Sequence, residues 1–139
     1  MTPISDQTIN EDSNFFYVLE AQDPEQDTLS YSYVIDEDID ASINGDLLTI
    51  LFDSDYNGEI EVEISVSDGE FSDSESFILS VIPVNDPPMV NIPDTSMAED
   101  SEFFYDLSAY ISDVDSENLM VNVENISQPM NVHVQSHML

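Results

Sequence analysis

Apolar and polar residues alternate along much of the first two thirds of the chain. The run EIEVEISVS at 59–67 puts Ile60, Val62, Ile64 and Val66 on one face and Glu59, Glu61, Glu63, Ser65 and Ser67 on the other. A period of two belongs to a strand buried on one side. TLSYSYV at 28–34 and DLLTILF at 46–52 predict two more strands, rich in aromatic and β-branched residues. ESFILSVIPV at 75–84 predicts another, with Pro83 suited to a strand end or edge. NFFYVL at 14–19 and a short piece at 4–9 complete the set. Turn-forming stretches separate them: QDPEQD, NG at 44–45, YNG at 56–58 and SDGE at 67–70. Helical periodicity is absent. About seven short strands at this spacing predict an all-β, antiparallel Greek-key sandwich over residues 1–84.

NDPP at 85–88 reads as a stiff, extended linker. Beyond it the pattern restarts. INEDSNFFYVL at 9–19 returns as MAEDSEFFYDL at 97–107, an offset of 88. DPEQDTL at 23–29 returns loosely as DVDSENL at 113–119, an offset of 90. An internal period of this size predicts tandem units. Residues 89–139 are too few for a second full period, so they are expected to form the truncated N-terminal part of a second repeat. That part would hold the first three or four strands and no counterpart of EIEVEISVSDG or ESFILSVIPV. Half a sandwich leaves a sheet edge unpaired and an apolar face uncovered. The expectation is one unit of an array and a fragment of the next, cut from something longer.

Charge changes this picture. The 139 residues include 31 Asp and Glu and no Lys or Arg, a formal net charge of −31, although 41% of the residues are hydrophobic. No carboxylate can pair with a basic side chain. The available cationic groups are the N-terminal amine and His133 and His137 when protonated. Carboxylates brought together by folding must stay hydrated, take up protons or share a metal cation. Nucleic-acid phosphates and anionic membrane surfaces would be repelled. No apolar run is long enough for a membrane helix, so membrane insertion is not expected. No secretory signal is visible after Met1. Cysteine is absent, which excludes disulfides and thiolate metal sites.

Calcium suits such a chain, since it takes six to eight oxygens in irregular geometry. DSDYNG at 53–58 has the Asp-x-Asp-x-Asn-Gly form of the first half of a calcium loop. An EF-hand would need a bidentate Glu at the twelfth position, where Ile64 stands on a strand, so an EF-hand is rejected. The plain alternative is a polar turn with Tyr56 packed inward and Gly58 at positive φ. DEDID at 36–40 also alternates acids, but Ala41 replaces the turn glycine, and a solvated loop is expected. HVQSH at 133–137 spaces two histidines as in a zinc protease helix, but Val134 stands where the catalytic Glu belongs. Paired carboxylates for glycoside hydrolysis discriminate nothing among so many acids. No enzyme activity is expected. NIS at 125–127 is an N-glycosylation pattern short enough to arise by chance.

The succession INEDSNFFYVLEAQDPEQDTLSYSY, NGDLLTI, DYNGEIEVEISVSDG and VIPVNDPP resembles the bacterial cadherin-like repeats, including dystroglycan-type cadherin-like and immunoglobulin-like tandem modules. The resemblance implies a calcium-dependent, rod-forming sandwich in a large secreted or bacterial surface protein. By position, it assigns Glu11, Asp53, Asp55, Asn85, Asp86, Asp113 and Asp115 to a junction between units. It assigns Asp23, Glu25 and Asp68 to the opposite end, facing an upstream unit. Pro83 and Pro87 occupy places where cadherin linkers carry ligands, so fewer ions than a three-ion junction are expected. The resulting expectation is an adhesion or spacer module whose partners are calcium, neighbouring repeats and a cell-surface or polysaccharide ligand. A carbohydrate-binding module of a secreted polysaccharide-processing protein is the alternative; the lack of Trp counts against it. A passive spacer, acidic only for solubility, is the third reading.

Overall fold

The computed structural model describes residues 1–35, 38–116 and 118–124. The chain divides into two compact units, Met1–Val84 and Asn85–Leu139.

The first unit holds seven strands: β1 (Gln7–Asn10), β2 (Phe15–Val18), β3 (Ser30–Ile35), β4 (Asp40–Asn44), β5 (Leu47–Leu51), β6 (Gly58–Ser67) and β7 (Ser72–Ile82). They form two sheets, in the orders β1-β7-β6-β3 and β2-β5-β4. The alternation that predicted β6 also sets its burial. Ile60, Val62, Ile64 and Val66 are buried while Glu59, Glu61 and Glu63 face water. Phe77, Leu79 and Val81 of β7 join them, and Phe15, Leu48 and Ile50 come from the other sheet. Each fully buried side chain of this kind contributes about 1.5–3 kcal/mol. Phe77 is the largest fully buried side chain, and its ring lies 6.0 Å from that of Phe15 and 6.2 Å from that of Tyr17.

Two expectations need correction. The sandwich is not wholly antiparallel: β1 runs parallel to β7, with Gln7 opposite Leu79 and Asn10 opposite Ile82. The four-residue β1 can pair this way because β7 is eleven residues long and β6 already occupies its other edge. Secondly, the DEDID stretch does not stay a loop throughout. Asp40 opens β4, which pairs with β5 as a hairpin closed by Gly45-Asp46. Gly45 has φ +66°, the left-handed conformation such a tight turn demands.

The second unit, among its described residues, contains β8 (Met89–Val90) and β9 (Ile111–Ser112), paired antiparallel. FFYD at 103–106, the repeat of β2, is not a strand. In the first unit β2 pairs with β5. The offset of 88 would place a counterpart of β5 at 135–139, outside the described residues. The expected three or four strands are therefore not what the described part of this unit contains. Rings of Tyr105 and Tyr110 stack here at 5.3 Å.

Candidate metal centre

Chain turns, not strands, carry the acids of interest. The β1–β2 connection presents Glu11 and Asp12; the β5–β6 connection presents Asp53, Asp55 and Asn57. Both turns reverse sharply, with Asp12 at φ 59° and Asp55 at φ 63°. Aspartate is among the few residues that adopt this left-handed conformation readily. Gly58 follows at φ +146°, where any side chain would be strained. Tyr56 packs half-buried against Phe52, ring centroids 5.0 Å apart, which anchors the turn on the core.

Glu11 is the one charged residue buried among those described, at 3% exposure. Both carboxylate oxygens are engaged. Oε1 accepts the Val84 backbone N–H at 2.5 Å, and Oε2 accepts Asn57 Nδ2 at 3.1 Å. The Glu11 backbone N–H donates to Ile82 O at 2.9 Å. One side chain thus ties the first turn, the β5–β6 turn and the exit of β7 together. Beside it, the Asp55 N–H donates to Asp12 Oδ1 at 3.3 Å, and a carboxylate oxygen from each of these aspartates lies within 4.8 Å of the other. Two hard oxygen donors at this spacing could supply part of the six to eight oxygens that calcium takes.

Of the Asp12–Asp55 pair, sequence reasoning named Asp55 and missed Asp12. The only available signal was the second acid in Glu11-Asp12, whose approach to Asp55 depends on a positive φ that composition does not reveal. Asp53 lies in the same turn as Asp55, and its carbonyl accepts the Tyr56 N–H at 3.3 Å. It is not part of the Asp12–Asp55 grouping.

Asp23, Glu25 and Asp68 are at the other end of the first unit. Asp68 follows the last residue of β6, ten residues of strand from Gly58, or roughly 30 Å. Asp23 precedes β3, whose first residue Ser30 lies opposite Ser67. These three acids do not form a ligating group with one another among the described residues. They are turn formers instead. Asp23 Oδ1 accepts the Asp27 N–H at 2.8 Å, and Glu25 is exposed. Asp68 Oδ1 accepts the N–H groups of Phe71 and Glu70, each at 2.7 Å, and these donors hold its carboxyl below the ordinary 3.8. One oxygen each of Asp23 and Asp68 is thus engaged by the backbone of its own turn, while the end-facing role of Asp23, Glu25 and Asp68 stays an expectation of the resemblance.

In the second unit, Asp113 Oδ1 accepts the N–H groups of Asp115 and Ser116 at 2.9 and 2.7 Å. Asp115 Oδ2 accepts the Asp86 N–H at 2.6 Å, and Asn85 Nδ2 donates to Asp86 O at 2.9 Å. With no basic side chain available, backbone N–H groups are the recurring partners of carboxylates here. The N-terminal ammonium forms the one ion pair among the described residues, 2.6 Å from Asp73, and holds that carboxyl below its ordinary value. His133, His137 and the NIS pattern at 125–127 lie outside the described residues.

No protein-family model, curated protein or solved structure matches the chain.

Proposed function

We propose that the chain is a calcium-dependent, cadherin-like Greek-key module of a larger secreted or bacterial surface protein, acting as an adhesion or spacer element. The observation that carries this reading is the pair Asp12–Asp55 beside buried Glu11, in a chain without Lys or Arg. Like charges at this distance repel, and a divalent cation is the natural group to offset them. Glu11, Asp12 and Asp55 would serve as ligands, with the Asn57 side chain alongside. The resemblance adds Asn85 and Asp86 as ligands brought by the linker. Asp113 and Asp115 enter as ligands from the neighbouring repeat. Calcium would then stiffen the passage from one repeat to the next. On this reading the module is not an enzyme.

The test is a thermal melt at constant ionic strength with calcium, magnesium or chelator. Calcium at tenfold its dissociation constant stabilises the folded state by about 1.4 kcal/mol. For a domain of this size that raises the melting temperature by roughly 5–10 °C. Magnesium, which dehydrates reluctantly and demands octahedral geometry, is expected to do less. Superimposable melts in calcium and chelator would overturn the reading.

A further inference from the structure

On the lateral seam of the first unit, β3 and β4, the free edges of the two sheets, approach each other. Tyr33 Oη donates to Ala41 O at 2.5 Å and ties the edges together. Above this tie is a hollow of about 510 Å³, inside the range of roughly 300–1,000 Å³ typical of small-molecule sites. Its walls include three aromatic rings, Tyr33, Phe52 and Tyr56, and three carboxylate residues, Asp38, Asp40 and Asp53. Phe52 and Tyr56 are locked by stacking, so their positions are fixed before any ligand arrives.

This combination selects for charge and surface together. A chain of net charge −31 repels anions, and three aspartates around one hollow do so locally. A bare metal ion gains nothing from aromatic walls. An organic cation gains from both, since aromatic faces favour a cation wrapped in carbon and the carboxylates supply the opposite charge. We propose that this hollow binds a small organic ammonium ligand. Two sources share that chemistry: an alkylammonium head group and a protonated amino sugar. Asp53 and Tyr56 flank Asp55 in sequence, so the hollow shares a turn with the candidate metal centre but does not depend on it.

Titration in chelator keeps the two readings separable. The full chain is titrated with choline and with glucosamine at mildly acidic pH, following ring-proton NMR shifts of Tyr33, Phe52 and Tyr56. Dimethylbutanol and glucose serve as the uncharged counterparts. Saturable shifts with choline assign an alkylammonium head, and tighter saturation with glucosamine assigns an amino sugar; either supports the proposal. Asp38→Asn and Asp40→Asn, both at exposed positions, are each expected to weaken binding about fivefold, the effect of one close charge in water. Equal response to the charged and uncharged compounds, no saturation, or unchanged affinity in both variants would overturn it.

Discussion

Glu11 Oε1 accepts the backbone N–H of Val84 across 73 residues of chain, and the same carboxylate holds Asn57 through its other oxygen. A buried acid thus closes the end of the first unit without a basic partner. Hydrogen bonds to a charged group contribute about 1.5–3 kcal/mol each. Glu11→Ala is expected to destabilise the unit by about 3 kcal/mol in chelator, read from urea unfolding. Glu11→Gln keeps one acceptor oxygen and should lose less. A Glu11→Gln variant as stable as the parent would show that the charge contributes nothing at this position.

Asp12 and Asp55 predict a sign reversal. Two carboxylate oxygens within 4.8 Å repel by about 1 kcal/mol at the dielectric of water. Asn tolerates the left-handed backbone as Asp does, so Asp12→Asn relieves the repulsion without straining the turn. The variant should melt higher than the parent in chelator and gain less from calcium. Isothermal titration calorimetry should register the weakened calcium binding. A variant that melts lower in chelator and keeps its full calcium response would contradict this account.

Phe77, at 2% exposure, packs against the rings of both Phe15 and Tyr17, which also stack on each other. Phe77→Ala should cost about 3–5 kcal/mol, a large part of the 5–15 kcal/mol total typical of a domain. Circular dichroism is expected to show a largely unfolded population at 37 °C. Phe71, in the β6–β7 turn and 71% exposed, is the control, and Phe71→Ala should shift the transition little.

Asp68 gives the pH dependence. The N–H groups of Phe71 first, and Glu70 second, hold its folded pKa below the ordinary 3.8. The folded state therefore prefers the ionised carboxylate. Its contribution is fully present above the ordinary value and is lost as pH falls through the depressed one. Asp68→Ala should lower stability at neutral pH and flatten the acid limb of the stability curve below 3.8. An acid limb identical to that of the parent would remove Asp68 as a contributor.

Much of the first unit is legible because its alternation is strong. Ile60 to Val66 point inward at every second residue, and the core is built on them. β4 is harder to read, since DASIN offers only Ala41 and Ile43 on its inner face. The pairing of β1 with β7 is hidden altogether, because it joins residues about 70 positions apart and no local pattern encodes a partner. The same division runs through the site. The Asp-x-Asp-x-Asn-Gly spacing marks the turn that carries Asp55, but which carboxylate approaches Asp12 depends on backbone reversal at Asp55. Asp23 and Asp68 each give one oxygen to backbone donors of their own turn, a local role that the sequence pattern does not reveal.

The parallel pairing of β1 with β7 also has a mechanical side. A chain pulled from both ends of the first unit would drag these two strands lengthwise in opposite senses. Their ladder would be loaded all at once rather than peeled rung by rung. Such a joint resists tension far better than a hairpin opened from its tip, so the weakest-looking strand, four residues long, sits where it can act as a mechanical clamp.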